Sequence, residues 1–372
     1  MGVRKSPVED LAGLIALTKL LDFYKGKRVL ITGNTGFKGS WLSRILLNTG
    51  AEVTGYALEP ETEPALYDIL GMKSEIRSFI GDIRDSSALR KAMLVADPEI
   101  LFHMAAQPIV RAGYDDPVYT YDVNVMGTVT LLETARSSKN LISLVNVTTD
   151  KVYENKEQEN GYIETDSLCG SDPYSNSKSC SELVTYAYKK SFFNSKAPAV
   201  STARSGNVIG GGDFAAFRII PDCVRAALSD EPIVIRNPGS IRPYQHVLDC
   251  LSGYLLLAKR QFETLAVADC YNFGPADSDC ISTEALVKLF CGLWGEGSSY
   301  VIKHDGGPPE TNYLKLDTEK SKSALAWAPT WNIETAVEKI VKWEKARISG
   351  DAVIETDNQI GEFFNDFYET GI

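Results

Sequence analysis

Lys27-Arg28-Val29-Leu30-Ile31-Thr32-Gly33-Asn34-Thr35-Gly36-Phe37-Lys38-Gly39 is the stretch on which the fold turns. Lys27–Thr32 has the short aliphatic run of a strand buried on both faces. The helical stretch Ser40–Asn48 follows. Between them Gly33, Gly36 and Gly39 are spaced G-x-x-G-x-x-G, which differs from the G-x-G-x-x-G dehydrogenase fingerprint but supplies the same physics. Glycines let the backbone turn tightly and come close to a phosphate, and the helix behind them offers unpaired N–H groups at the positive end of its dipole. A lone glycine motif is compatible with an ordinary strand-to-helix turn. Its position directly between a strand and a helix points instead to a dinucleotide pyrophosphate.

Working outward, Glu52–Ala57, Glu75–Ile80, Ile100–Ala105 and Ile142–Val147 read as further strands. Helical patterns separate them at Ser86–Val95, Tyr119–Ser137 and Ser175–Ser191. Alternating strands and helices predict βαβ units, hence an α/β, Rossmann-type doubly wound parallel sheet with ligands at the carboxyl ends of its strands. After Arg204 the rhythm changes. Gly210-Gly211-Gly212 and several prolines interrupt it. Short strands are predicted at Pro232–Asn237, Gln245–Val247 and Asp269–Phe273, and helices at Thr283–Trp294 and Ile333–Lys345. The expected division is a dinucleotide-binding domain over 1–205, with a return segment around 238–262, and a smaller mixed α/β lobe occupying most of 206–372. Residues from Asp351 onward are acidic and predict a loosely packed tail. Leu11–Leu17 is apolar but follows Glu9 and Asp10, and reads as an amphipathic helix packed on the body.

The 372 residues are 44% hydrophobic and 23% charged, so a sizeable core is expected. Formal net charge is −11 and no Lys/Arg-rich stretch stands out, which argues against nucleic acid as a partner. The seven cysteines are scattered without a C-x-x-C and read as reduced thiols. Three histidines without paired spacing give no metal motif. No targeting or membrane-spanning segment is read, so no membrane association and a cytoplasmic location are expected.

Two short segments carry the chemistry. Thr149-Asp150-Lys151 closes a predicted strand, and Tyr174-x-x-x-Lys178 opens a predicted helix behind Asp172-Pro173. A Tyr and a Lys one turn apart share a helix face. A nearby ammonium and an oxidised nicotinamide both favour phenolate, so Tyr174 is expected to have a lowered pKa and to take a proton from a substrate hydroxyl. Tyr-x-x-x-Lys alone is common by chance, as a surface Tyr and a solvated Lys; the proline start and the upstream turn favour the chemical reading. Asp82-Ile83, after the third strand, is placed over an adenine. The acid that normally holds a ribose 2′-hydroxyl is missing where the second strand ends, at Gly55-Tyr56-Ala57-Leu58, with Glu59 slightly later. No Arg occupies that turn to receive a 2′-phosphate, so NAD is expected rather than NADP.

The set TGNTGFKG, GDIRD, FHMAAQ, Asn124 in YDVNVMGT, and YSNSK resembles the extended short-chain dehydrogenase/reductase superfamily. Within it, GNTGFKGSWLS, FHMAAQPIVR, TTDKVYEN, DPYSNSKSCSELV, GNVIGGGDF, IRNPGSIRPYQHVL and NYLKLD resemble the CDP-glucose 4,6-dehydratase family, over roughly residues 26–343. The resemblance implies oxidation of CDP-glucose at C4 by NAD, loss of the C5 proton and the C6 hydroxyl, and return of hydride to C6. Tyr174 would be the base at the 4-hydroxyl, with Lys178 beside it. Thr149 would bond the 4-oxygen and Asp150 would protonate the departing C6 hydroxyl. Lys151 stands where related dehydratases more often carry Glu, and either takes the C5 proton or only steers Asp150. The implied cofactor contacts are Gly33, Thr35, Gly36, Phe37, Lys38, Gly39, Asp82, Ile83, His103, Ala105, Gln107 and Asn124, with Tyr174 and Lys178. A satisfied core histidine is the other reading of His103. Arg242 would bind the diphosphate, with Asn207 and Arg218 toward the sugar. Ala216 and Phe217 depart from the charged pair usual in the family. A homodimer through the helices Tyr119–Ser137 and Ser175–Ser191 is expected by analogy. Competing readings are another nucleotide-hexose 4,6-dehydratase, a nucleotide-sugar 4-epimerase, which has no use for an acid–base pair at C6, and a non-catalytic dinucleotide sensor.

Overall fold

The computed structural model describes residues 20–194, 196–295, 297–303 and 313–369; the segment Leu11–Leu17, read above as a helix, lies outside them. Seven strands form one sheet: β1 (Arg28–Thr32), β2 (Glu52–Ala57), β3 (Arg77–Ile80), β4 (Ile100–His103), β5 (Ser143–Val147), β6 (Ala199–Ser205) and β7 (Cys270–Phe273). Their order is β7-β6-β5-β4-β1-β2-β3 and every pairing is parallel, as the strand–helix alternation predicts. The chain runs outward from β1 to β3 and then returns to the opposite side of β1 as β4. The loops leaving β1 and β4 therefore diverge, and a crevice opens at the carboxyl ends of these two strands.

The longer helices are α1 (Phe37–Asn48), α2 (Ser86–Ala96), α3 (Gly127–Ala135), α4 (Pro173–Phe192), α5 (Ile219–Leu228), α6 (Val247–Glu263), α7 (Thr283–Trp294), α8 (Ile333–Ser349) and α9 (Ala352–Glu369). Because side chains alternate along a strand, each strand feeds two cores. Leu30, Leu101 and Leu144 pack with Leu89 and Met93 of α2 and Leu131 and Leu132 of α3. Val29, Ile31, Ile100, Phe102 and Val145 pack on the other face with Trp41 and Ile45 of α1 and Leu251 and Leu255 of α6. A third core joins Ile220 and Val224 of α5, Leu286 and Phe290 of α7, Val337 and Ile340 of α8, and Ile233 and Ile235 of the short strand Ile233–Ile235. Small two-stranded sheets accompany it, among them Ile241–Pro243 paired with Cys280–Ser282. Among the described residues no helix is long and apolar enough to cross a membrane.

The expectation of a loosely packed C-terminal tail is overturned. The acidic C-terminal stretch is no loose tail but the 18-residue helix α9, with Ile360, Phe363, Phe364 and Phe367 buried in the same core as β1. Two of its acids tie it down: Asp357 accepts from Arg44 Nε of α1 at 2.7 Å, and Asp366 from Trp331 Nε1 at 2.8 Å. Phe363→Ala is expected to cost about 3–5 kcal/mol of unfolding free energy, the usual penalty for emptying a buried aromatic site. Urea unfolding checks this, and a loss below about 1 kcal/mol would mean that α9 is dispensable to the core.

Candidate active site

The glycine turn after β1 is built by sterics. Gly33 has φ of +77° and lies so close to the chain after β4 that a Cβ there would stand 2.7 Å from the Ala105 nitrogen. A Cβ on Gly39 would stand 2.1 Å from the Gly33 carbonyl oxygen, so only glycine lets α1 start so tightly against β1. The N-cap is Gly36, with no side-chain cap and no acid in the first turn. The opening N–H groups of α1 are thus left for a ligand anion, an arrangement that fits a pyrophosphate. The crevice above is lined by Gly33, Thr35, Gly36, Phe37, Lys38 and Gly39 from the turn, by Leu58, Glu59 and Glu61 after β2, by Asp82 and Ile83 after β3, and by Ala105 after β4. Thr35 Oγ1 donates to the Leu58 carbonyl at 2.9 Å and draws the ends of β1 and β2 together.

Three residues expected along the cofactor do not open onto this crevice. His103 ends β4 but turns into the core, with Nδ1 2.7 Å from Thr32 Oγ1 and Nε2 3.4 Å from Thr128 Oγ1. Burial, aided by the nearby Lys178 charge, lowers its pKa to about 3, so it is a neutral core histidine. The Gln107 amide donates to Thr120 Oγ1 at 2.8 Å, and Asn124 Nδ2 donates to the Gln107 carbonyl at 3.1 Å and to Ser177 Oγ at 2.9 Å. Asn124 sits in a π-helical turn, Asp122–Met126, which breaks the single helix predicted over 119–137. From there it ties the chain after β4 to α4, behind the crevice.

A second cavity continues from the first. Tyr174, Lys38 and Arg218 line both; Thr149, Lys151, Asn207 and Arg242 line the second. Asp172 caps α4 by accepting from the Ser175 N–H at 3.0 Å, and Pro173 is the first helical residue, so Tyr174 and Lys178 fall in the opening turns as predicted. The Lys178 ammonium donates to the Val147 carbonyl at the end of β5, at 3.1 Å. Burial, with the Lys38 charge beside it, lowers its pKa to about 8 against a pull upward from Glu182. Burial pushes the Tyr174 phenol up to about 12, opposed by a hydrogen bond with Thr149. The protein's own groups thus do not supply the lowering expected from the sequence, which depends on the charge of an oxidised nicotinamide.

From Tyr174 a chain of polar contacts runs through Thr149, Asp150 and Lys151. The phenol meets the Thr149 hydroxyl. Thr149 Oγ1 lies 2.9 Å from Asp150 Oδ1, which accepts from Lys151 Nζ at 3.2 Å. Lys151 Nζ also donates to Asn207 Oδ1 at 3.3 Å. Asp150 is fully buried one hydroxyl behind the cavity wall, and its Oδ2 has no hydrogen-bond partner among the described residues. Arg218 pairs with Asp213 at 2.9 Å, and Arg242 stands on the short strand Ile241–Pro243.

Beneath this chain lies an ion pair that the sequence reading did not identify. Glu182, one turn beyond Lys178, accepts from Thr148 Oγ1 at 2.5 Å and Thr202 Oγ1 at 2.6 Å, and from Arg204 Nε and Nη2, both at 2.9 Å. Arg204 Nη1 donates to the Tyr153 hydroxyl at 2.8 Å and to the Glu164 carbonyl at 3.1 Å. Although burial works against its charge, Glu182 holds the Arg204 guanidinium above its ordinary pKa. Thr148 and Tyr153 bracket Thr149–Val152, so the pair grips both ends of that segment.

The low Lys178 value sets a pH dependence. Between about pH 8 and 10.5 the unfolded chain still holds the proton that the folded chain has released. The stability contribution of this residue therefore rises with pH across that window, and its burial cost is fully felt below it. The unfolding free energy of the wild type relative to Lys178→Met is expected to grow by about 2 kcal/mol from pH 8 to pH 10. A flat difference in denaturant titrations would show that Lys178 stays charged.

Comparison with known proteins agrees with this architecture. The sequence profile of the GDP-mannose 4,6-dehydratase family matches residues 30–340. The chain is 46% identical over 351 residues to a CDP-glucose 4,6-dehydratase of Salmonella typhimurium, covering 92% of this chain and 98% of that protein. It is 26% identical to dTDP-glucose 4,6-dehydratase 1 of Escherichia coli, covering 85% and 92% of the two chains. The crystal structure of a dTDP-glucose 4,6-dehydratase from Bacillus anthracis in complex with NAD superposes with a TM-score of 0.72 at 23% identity, covering 86% and 97%, a likeness of fold. The chain belongs to the GDP-mannose 4,6-dehydratase family of extended short-chain dehydrogenases/reductases.

Proposed function

We propose that the protein is a CDP-glucose 4,6-dehydratase that converts CDP-D-glucose to CDP-4-keto-6-deoxy-D-glucose and water. The carrying observation is the contact chain Tyr174–Thr149–Asp150–Lys151, which joins a base for one hydroxyl to an acid for another. NAD, when bound, takes hydride from sugar C4 and returns it at C6, and its positive ring favours the Tyr174 phenolate. The α1 turn would hold its pyrophosphate. Glu59, Glu61 and Asp82 stand at the adenosine end of the crevice, whereas the lysines and Arg218 stand at the other, which disfavours a 2′-phosphate and supports NAD over NADP.

The remaining steps are proton movements by this chain. Tyr174 takes the proton of the 4-hydroxyl. Lys151 passes a proton to Asp150 across their 3.2 Å contact, leaving a neutral amine and a carboxylic acid. The 4-ketone acidifies the C5 proton, which the Lys151 amine accepts. Asp150 protonates the departing C6 hydroxyl through Thr149, and water leaves. Lys151 returns its proton to C5 as C6 receives hydride. At that point Tyr174 holds one proton more and Lys151 one fewer than at the outset, and Asp150 is again a carboxylate. Thr149 and Asp150 lie between them, and through these two groups the proton collected at O4 reaches Lys151 and replaces the one given to O6. Asn207 keeps Lys151 in place, and Arg242 and Arg218 take the diphosphate and sugar side of the second cavity. An epimerase needs only the C4 half of this cycle.

A homodimer and a cytoplasmic setting complete the reading. Val118 and Met126 before α3, and Leu183 and Tyr186 of α4, are 78%, 51%, 54% and 62% exposed, an apolar face suited to a second copy. All seven cysteines are free, in keeping with a reducing compartment.

A nucleotide-sugar panel with NAD tests the function. The 4-ketosugar is expected from CDP-glucose, and UDP-galactose formed from UDP-glucose in its place would overturn the assignment. Asp150→Asn should cut ketosugar formation by about 10²–10⁴-fold while reduced cofactor accumulates, because C4 oxidation no longer has an elimination to follow it. Light scattering should report a dimer that Leu183→Asp converts to monomer; a monomeric wild type at micromolar concentration contradicts the interface.

A further inference from the structure

The turn residue Lys38 carries an observation that cofactor binding leaves unexplained. Its backbone belongs to the start of α1, where N–H groups face the pyrophosphate. Its side chain leads elsewhere. It crosses the carboxyl edge of the sheet to the end of β6, where Nζ donates to Ser205 Oγ at 3.4 Å and lies 5.8 Å from the Tyr254 ring centroid. In the strand order β6-β5-β4-β1, that path leads from the β1 turn past β4 and β5. It leads away from the adenosine end and toward Tyr174. Lys38 accordingly lines both cavities.

Its partners are unusual for a half-buried ammonium. Ser205 Oγ is its one hydrogen-bond acceptor among the described residues, at the limit of bonding distance, and no carboxylate lies within ion-pair reach of it there. The Ser205 hydroxyl is itself shared with the Tyr254 hydroxyl at 2.5 Å. Burial lowers the Lys38 pKa; of its titratable neighbours Cys250 and Asp150 oppose the lowering, while Arg218 and Lys151 add to it. Lys178 feels its charge as well. A cation withdrawn from water without an anion is costly, and a site that keeps one is arranged for negative charge arriving with a ligand. The groups around Lys38 are the ones that handle sugar positions 4 to 6 in the proposed function, on which this inference rests.

We infer that Lys38 is a further catalytic residue of the elimination half-reaction, its ammonium stabilising the negative charge that gathers on the sugar 4-oxygen as the C5 proton leaves. Removing that proton from the 4-ketosugar moves its bonding pair into the C4–C5 bond and onto the 4-oxygen, giving an enolate. Expulsion of the C6 hydroxyl, protonated by Asp150, returns the pair to an enone. Lys38 exchanges no proton in this step. It supplies a fixed positive charge on a half-buried side chain, where such charges act more strongly than in bulk water.

Lys38→Met tests the role with four readings: NAD affinity, single-turnover absorbance of reduced cofactor, washout of the C5 proton into deuterated solvent, and ketosugar formation. NAD affinity and the KM for CDP-glucose should stay within about threefold, because backbone groups hold the pyrophosphate. C5 exchange and kcat should fall by about 10²–10³-fold, the usual effect of losing one oxyanion-stabilising group. Reduced cofactor should then accumulate. Lys38→Arg should recover most of the turnover, and Lys38→Gln should behave as Met does, which keeps the test open if the Met variant folds poorly. Wild-type kinetics in the Met or Gln variant overturn the inference. So does a parallel collapse of NAD affinity and C4 oxidation, which would make Lys38 a cofactor holder. A wild type that forms no ketosugar from CDP-glucose overturns the proposed function itself, and this role with it.

Discussion

The buried pair of Glu182 and Arg204 is the constraint on which the rest of the site depends. Glu182 belongs to the helix that carries Tyr174 and Lys178, and Arg204 belongs to the neighbouring strand β6. Their two hydrogen bonds of 2.9 Å fix the helix against the sheet at one depth and one rotation. Thr148 and Tyr153, held by the two partners, then set where Thr149, Asp150 and Lys151 lie between them. Two charges withdrawn from water are tolerable only with full hydrogen bonding, and removing one partner of such a pair costs about 3–5 kcal/mol. Here both carboxylate oxygens are doubly engaged. This is also why the catalytic segment, though it leaves a strand as loop and a single 3₁₀ turn, is held like part of the core.

On that foundation the chemistry follows from where the sheet opens. The reversal of strand order at β1 and β4 provides the crevice, the glycine turn provides an uncapped helix end, and Asn207, Arg218 and Arg242 line the far cavity. The proposed cycle needs a proton removed at one sugar oxygen and supplied at another. The Tyr174–Thr149–Asp150 contacts join those two positions without passing through bulk water. Dehydration rather than epimerisation is the natural product of this layout, because the acid and the amine would otherwise have no task.

Much of this was legible in the chain. Leu30 between Val29 and Ile31 announces a strand covered on both faces, and the glycines at 33 and 39 announce the tight turn because no larger residue fits there. Pro173 behind Asp172 marks the helix start that aims Tyr174. Other features were not legible, for physical reasons. His103 and Gln107 follow the same strand as Ala105, but sequence does not tell which residue at a strand end turns outward; packing against Thr32 and Thr120 settled that. The C-terminal acids disguised a helix whose buried positions, Ile360, Phe363, Phe364 and Phe367, keep the i, i+3, i+4, i+7 spacing of an amphipathic face. Glu182 and Arg204 are 22 residues apart and acquire meaning only once α4 lies on β6. Lys38 was read as one more residue of the turn, because its destination depends on the whole strand order.

The most direct test of the central claim follows one hydrogen atom. CDP-glucose deuterated at C4 is incubated in ordinary water with the enzyme and a catalytic amount of NAD, and the product is read by NMR and mass spectrometry. The account predicts the deuterium in the C6 methyl group of the 4-ketosugar, a solvent proton at C5 and no net reduction of cofactor. Deuterium remaining at C4 of an epimer, or lost to a released reduced cofactor, would contradict it.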